Sequence, residues 1–385
     1  MITPIIIASF WVSIIIILYS YAGFPLVLAI ACKLRNRTVN KSAITPSVSL
    51  IIAAYNEEDG IAKKLENSLE LDYPSDCLEI IVVSDGSDDK TASIVESFVS
   101  RGITFLDLPR RGKIFALKDA VEASKGEILV FSDANTQYHR ESIKKLVMNF
   151  ADPEVGGVCG NQVHTDKLNN DNTAEGEKLY WGYDKWLKRM ETLTGSIVSA
   201  DGAMYSIRRE LFKFPESTAV TDDFAISTGV VDQGYRLVFE SEALAAEDAM
   251  SGAKEEFGRK VRIMNRGLRG VLLRRNLLNP FNSGFYSLVL FSHKLLRRLV
   301  PLFLLSLFAA SILLSGESKF FYLAMVAQLL FYTWAGLSYM LRDTQIGQHK
   351  IFYIPFFYCL ANTASLVAII KLLSGTKIER WQPQR

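Results

Sequence analysis

Apolar positions follow two different patterns along this chain, one at its ends and one in its middle. Residues 5–31 contain no charged side chain, and a helix needs about 20 such residues to cross the hydrocarbon core of a bilayer. Residues 299–314, 320–340 and 351–370 repeat that pattern near the other end, separated by polar turns at 316–319 and 342–350. Between the ends the apolar runs are short and β-branched. VSLIIAA (48–54), EIIVVS (79–84) and EILVFS (127–132) each read as a strand covered on both faces. Stretches 61–71, 91–100, 114–123 and 142–150 read as helices and alternate with those strands, the order of a mostly parallel sheet. The expectation is an α/β domain over residues 33–280, between an N-terminal membrane helix (1–32) and a C-terminal membrane bundle (281–385).

Local charge orients this arrangement. Lys33, Arg35, Arg37 and Lys41 follow the first span directly, and basic residues collect on the cytosolic side, so the α/β domain is expected in the cytosol of a multi-pass membrane protein. Three further crossings would put Lys371, Lys377, Arg380 and Arg385 outside, against the same tendency. One segment is therefore expected to lie in the interface. Residues 299–314 are the shortest candidate, and 285–298 mix apolar positions with Lys294, Arg297 and Arg298 as an interfacial helix does. Residues 254–275, beginning at Lys254, read as an amphipathic helix. Arg259, Arg262, Arg266 and Arg269 share one face, and Val261, Met264, Leu268 and Val271 form a stripe that can lie on the membrane.

Composition narrows the classes of function. Hydrophobic residues make up 49% of the chain and the net charge is only +2, which gives no basic field for nucleic acid. Cys32, Cys77, Cys159 and Cys359 lack paired spacing, and the four histidines are equally scattered, so neither a disulfide framework nor a zinc site is expected. A transporter is disfavoured because the hydrophobic segments hold few ionisable residues to mark a path.

Ligands of open parallel sheets bind beyond the carboxyl ends of the strands. Asp85 follows EIIVVS and Asp133 follows EILVFS. Such carboxylates can accept hydrogen bonds from a ribose or hold a divalent cation that bridges phosphates, although aspartate at these positions also caps helices and turns. Lys113, beside Gly112 and ahead of a helix, offers a mobile positive charge for phosphate, or is one more solvated charge after Arg110 and Arg111.

The ordered set AAYNEE (from Ala53), SDGSDDKT (from Ser84), RRGKIFAL (from Arg110), FSDAN (from Phe131) and TDDF (from Thr221) resembles family 2 glycosyltransferases with the GT-A fold. The flanking membrane helices resemble the branch that includes cellulose, hyaluronan, chitin and poly-N-acetylglucosamine synthases. The resemblance implies a Rossmann-like nucleotide-diphospho-sugar transferase domain, a nucleotide sugar (first a UDP-sugar) as donor, a saccharide or lipid-linked acceptor, and Mg²⁺ or Mn²⁺ as cofactor. It implies that Tyr55, Glu57 and Asp85 serve the nucleoside, that Lys113 and Arg262 serve the diphosphate, and that Asp133 with Asn135 serves the metal. Asp223 would be the base that deprotonates the acceptor, and Asp201 and Gly202, in SADGAMY, would lie near the acceptor sugar, although Asp-Gly is also an ordinary turn signal. Two departures stand out. Asn135 replaces the second aspartate of the metal motif, and RKVRI (from Arg259) replaces Gln-x-x-Arg-Trp of processive relatives, leaving only Arg262 in place. These changes motivate an alternative, a non-catalytic nucleotide sensor or a scaffold among polysaccharide-export proteins.

Overall fold

The computed structural model describes residues 2–165, 173–215, 219–248, 253–342, 344, 347 and 349–376. The basic tail residues Lys377, Arg380 and Arg385 lie outside this set, as does the side chain of Lys254.

Eight strands among the described residues form one sheet in the order β3-β2-β1-β4-β7-β6-β8-β5. The three β-branched runs become its centre: β1 (Val48–Ala54) lies between β2 (Leu78–Asp85) and β4 (Ile128–Asp133), parallel to both. A third parallel partner, β3 (Ile103–Leu108), extends the sheet beyond β2. On the other side the direction changes. There β7 (Met204–Arg208) runs antiparallel to β4 and to β6 (Val155–Thr165), while β8 (Arg236–Asp248) is parallel to β6 and closes against the two-residue β5 (Gln137–Tyr138). Successive side chains on a strand point to opposite faces, and both faces of β1 are covered. Leu50 and Ile52 pack with Ile61 and Leu65 of helix Ile61–Leu69, whereas Ile51 and Ala53 pack with Ala116, Leu117 and Ala120 of helix Lys113–Ala123.

Several elements carry no comparable signal in the sequence. In β6 the glycines hide a strand: a Cβ on Gly156 would meet Leu211 Cδ1 at 2.5 Å, Tyr235 Cβ at 2.6 Å and Val230 Cγ1 at 2.7 Å. The strand is glycine-rich there because neighbouring side chains occupy that space.

Four helices are long and apolar enough to cross a membrane: Thr3–Arg35, Phe285–Leu314, Lys319–Leu341 and Lys350–Leu373. Their outer faces present large apolar side chains such as Ile5, Leu26, Leu323 and Met340, a surface suited to lipid rather than water. The stretch expected as a separate interfacial piece, 285–298, continues without a break into 299–314. It does contain a π-helical turn, Leu290–Leu296, as the first span does at Tyr19–Gly23. The two turns meet, with Tyr19 Oη and Ser292 Oγ 2.8 Å apart.

The amphipathic helix is present as Ala253–Leu273, but its apolar stripe does not face lipid. Val261, Leu268 and Val271 are buried in protein. Val261 packs on Ala364 and Ala368 of the last span, and Asn265 Nδ2 donates to Ala368 O at 3.0 Å. Gly270 lets Phe224 approach the helix, its ring 2.5 Å from where a Cβ would stand. Protein burial displaced the membrane contact expected from periodicity alone, because a helix stripe cannot distinguish the two apolar surroundings.

Gly156→Ala is expected to cost about 1–3 kcal/mol through overpacking. Gly182→Ala, where no atom lies within 4 Å of the added carbon, should cost nothing measurable. Thermal unfolding midpoints of the two variants in detergent check the contrast.

Candidate active site

Asp85 and Asp133 end the two strands that flank β1. They therefore stand at one edge of the sheet, roughly 10–12 Å apart by strand spacing and rise. Asp85 is buried, and its carboxylate organises the loop before helix Lys113–Ala123. It accepts from the backbone N–H groups of Arg111 (2.8 Å) and Gly112 (2.9 Å) and pairs with Arg110 Nη1 at 2.7 Å. The Arg110 guanidinium in turn covers the Tyr55 ring, 3.3 Å from its centroid. Two glycines make this close approach feasible. Gly86 has φ +67° and would place a Cβ 2.6 Å from Arg110 N, and Gly112 has φ +106°; both conformations suit glycine.

The loops after β1 and β2 are stapled to each other. Asn56 Nδ2 donates to Asp88 Oδ1 at 2.5 Å, the Asp88 N–H returns a bond to Asn56 Oδ1 at 3.0 Å, and the Glu57 N–H donates to Thr91 Oγ1 at 2.8 Å. Tyr55, Glu57 and Asp85, the residues expected at the nucleoside, therefore lie on adjoining loops.

Lys113 is the first residue of its helix. Its Nζ lies 2.6 Å from Asp133 Oδ1 and 3.0 Å from Asp222 Oδ2. Burial disfavours the ammonium, but the charges of Asp133 and then Asp222 outweigh it and hold Lys113 well above the ordinary lysine value. Asp222 responds in the opposite sense. Burial works against its ionised form, yet Lys113 and then Arg266 keep it below the usual carboxylate range.

Its neighbour Asp223 behaves differently: burial, and next the Asp222 charge, push it up to about 6. Both aspartates sit in the first turn of helix Asp222–Asp232, after Thr221 at the N-cap position, and the Phe224 N–H donates to Asp223 Oδ1 at 2.7 Å. Burial, and then the charges of Asp222, Asp223 and Asp133, push the Tyr205 phenol well above its ordinary value, so all three carboxylates act on one phenol.

Position 135 is compensated from the neighbouring strand β8. Asn135 Nδ2 donates to Glu247 Oε1 at 2.8 Å, and Gln162 Nε2 bonds the other oxygen of Glu247. Burial, and then the charge of Asp133, raise the Glu247 carboxyl above its usual value, so Glu247 carries a second acid into the field of Asp133. Among the described residues no group of three or more His, Cys, Asp or Glu forms a ready cage for a metal. The oxygen donors of Asp133, Asn135 and Glu247 nevertheless fit a hard divalent cation that takes its remaining ligands from phosphate and water.

Above these acids lies the arginine face of helix Ala253–Leu273. Arg266 acts on Asp222 and Arg259 on Glu247, so these arginines lie within electrostatic reach of the acids. Arg262 lies between them, and burial, then Arg266 and Arg259, draw it below the ordinary guanidinium value. Gathered guanidinium groups of this kind suit an anion. Near Asp133, Asp201, expected at the acceptor, pairs with the buried Lys188, and a Cβ on Gly202 would stand 3.2 Å from Asp133 Oδ2. Behind that loop, Glu191 accepts the Val198 N–H at 3.0 Å and lies 2.6 Å from His293 Nδ1, a buried link to the second membrane helix. Sequence reasoning missed Glu247, Lys188 and the Glu191–His293 pair, which no local motif marks.

Residues 49–214 match the family described as Glycosyl transferase family 2. The chain carries a family 2 glycosyltransferase domain. Among curated proteins it is similar to the poly-beta-1,6-N-acetyl-D-glucosamine synthase of Staphylococcus epidermidis, 26% identical over 55% of this chain and 54% of that protein. The Staphylococcus aureus synthase of the same name is 28% identical over 51% of this chain and 48% of its own length. The chain thus spans about half the length of the curated relatives it matches. Among solved structures it resembles a mannosyltransferase from Pyrobaculum calidifontis in complex with GDP-Man and Mn²⁺. That likeness has a TM-score of 0.71 at 20% identity and covers 96% of this chain and 100% of the other, so the fold is shared over nearly the whole chain.

Removing the glycosyltransferase domain's central ammonium leaves Asp133 and Asp222 to repel each other. Lys113→Met is expected to cost about 1–3 kcal/mol, less than for a fully enclosed pair because Asp133 is partly open to solvent. Thermal unfolding should show the loss, and it should be partly restored in the double variant Lys113→Met, Asp222→Asn.

Proposed function

We propose that the chain is a membrane-attached inverting glycosyltransferase that moves a sugar from a nucleotide donor, a UDP-sugar first, to a saccharide or lipid-linked acceptor of the cell envelope or extracellular polysaccharide. The observation that carries this reading is the Lys113 ammonium shared by Asp133 and Asp222, within electrostatic reach of a helix that carries Arg259, Arg262 and Arg266. A neutral ligand would leave that collection of cations without purpose, whereas a sugar diphosphate would engage it directly.

In this reading Tyr55, Glu57 and Asp85 form the nucleoside wall, and Lys113 and Arg262 bind the diphosphate. A hydroxyl oxygen of the acceptor, held near Asp201 and Gly202, attacks the anomeric carbon. The bond from that carbon to the diphosphate oxygen breaks, its electron pair leaves with the nucleoside diphosphate, and the hydroxyl proton passes to Asp223. A Mg²⁺ or Mn²⁺ ion, held by Asp133 with Asn135 and Glu247 nearby, would supply charge neutralisation on the leaving group. With Lys33, Arg35, Arg37 and Lys41 at the end of the first span, the domain faces the cytosol, where nucleotide sugars are made.

Asp223→Asn should lower nucleoside diphosphate release by about 10²–10⁴-fold while donor binding persists. The folded Asp223 carboxyl titrates near 6 rather than 3.8, so ionising it costs stability as pH rises through that window, and the variant should not unfold earlier than the parent at neutral pH. A panel of nucleotide sugars with Mg²⁺ or Mn²⁺ provides the assay. Tight donor binding by the parent without release, under every acceptor tried, would overturn the enzymatic reading in favour of a sensor.

The same carboxyl sets a pH profile. The transfer rate should rise with pH until Asp223 is ionised and level off above about 6. A rate independent of pH between 5 and 8 would assign the limiting proton transfer elsewhere.

A further inference from the structure

A second basic site lies away from the sugar pocket, where the domain meets the membrane helices. A cleft of about 610 Å³ is lined by Arg35, Arg37, Arg236, Gly284, Phe285 and Tyr286, among others. Arg35 is the last residue of the first candidate span, and Phe285 is the first residue of the second. The cleft therefore opens at the level where headgroups meet water.

Its charge is unbalanced. Glu154 is the one acid among the lining residues, against three arginines, and it is paired to Arg37 at 2.8 Å. Arg236 is buried, spends its donors on the carbonyls of Gly195, Thr38, Arg37 and Thr192, and lies 3.8 Å from Asp152 and 3.9 Å from Glu154, so Arg35 is the cation left to face a ligand. Burial and then the nearby Arg37 charge draw Arg236 below the ordinary guanidinium value, with Asp152 and Glu154 opposing the shift. Arg35 has no acidic partner among the described residues; it donates to Thr194 O at 3.2 Å and lies over the Phe285 ring, 5.0 Å from its centroid.

A helix terminus adds to this field. The 30-residue helix Phe285–Leu314 begins at the cleft, and Gly284 ahead of it, at φ +53° and ψ −130°, supplies no side-chain cap. The first N–H groups of such a helix point out of its end and favour an anion. Leu34, 81% exposed, and Phe281, 95% exposed, flank the basic lining and would sit against acyl chains.

We propose that this cleft binds a phosphate group, supplied by the headgroup of an anionic phospholipid at the cytosolic face. Arg35 and the start of helix Phe285–Leu314 contact the phosphate, while Leu34 and Phe281 border the chains. The site also touches the transfer machinery, because Tyr286 donates to Val198 O at 2.8 Å, next to the loop that carries Asp201. It does not depend on the proposed reaction, and lipid retention can be read with no donor present.

Native mass spectrometry of the full chain, released from micelles doped with phosphatidylglycerol or phosphatidylcholine, tests the proposal. Retention of phosphatidylglycerol is expected to exceed that of phosphatidylcholine by roughly fivefold for each basic group engaged. Arg35→Gln should abolish the preference, Arg35→Lys should keep most of it, and Lys319→Gln, at another helix end, should leave it intact. Glycerol 3-phosphate forms the soluble arm. If it raises the unfolding temperature of the parent but not of Arg35→Gln, the phosphate chemistry is supported; if that occurs without any lipid preference, the bilayer source is overturned. Equal retention of both lipids with no response to glycerol 3-phosphate would overturn the site altogether.

Discussion

Lys113 Nζ lies within 3.0 Å of both Asp133 and Asp222, and much of the surrounding geometry follows from that shared proton-rich group. Its three members come from the start of one helix, the end of a central strand and the first turn of another helix. A largely buried ammonium is costly unless its charge is met, and the largely buried Asp222 is costly unless a cation faces it, with the more open Asp133 completing the pair. Neither side can be satisfied alone. The end of strand β4, the start of helix Lys113–Ala123 and the helix that carries Asp223 are therefore held in one arrangement. The same constraint divides labour between adjacent aspartates: Asp222 is held ionised by Lys113 and Arg266, and Asp223 is left with a raised carboxyl suited to taking a proton.

The helix Ala253–Leu273 extends this organisation to the membrane. Its Arg259 and Arg266 act on Glu247 and Asp222, and it packs on the last candidate span through Val261, Met264 and Asn265. A comparable link runs from His293, on the second candidate span, through Glu191 to the loop before Asp201. The Lys113 cluster and the Asp201 loop are thus each tied to a candidate membrane span by buried polar contacts, which are expensive to break singly. This architecture differs from a soluble transferase tethered by a flexible anchor, because displacement of either helix would disturb the pocket.

Much of the fold was legible where local physics leaves little choice. The strands β1, β2 and β4 are continuous β-branched runs, and their buried centres lie within a residue of the expected bounds. Asp85 and Asp133 could be found because a strand end in a parallel sheet is a position readable from sequence. In contrast, β6 was hidden by glycines whose reason is the side chains packed against them, and β8 by the acidic and alanine positions of its outer half. Glu247 stands 112 residues from Asn135, which it supports, and nothing local foretells that meeting. The amphipathic helix was read correctly in period and wrongly in partner, since burial against Ala364 and Ala368 gives the same stripe as burial in lipid.

Where the donor diphosphate sits decides the account. Cryo-electron microscopy of the full chain in nanodiscs with UDP and Mn²⁺ would measure it. The arrangement around Lys113 predicts a phosphate oxygen about 3 Å from Lys113 Nζ and another facing Arg262, with the Asp223 carboxyl open on the opposite side. A diphosphate bound elsewhere, with Lys113 still closed between Asp133 and Asp222, would contradict it.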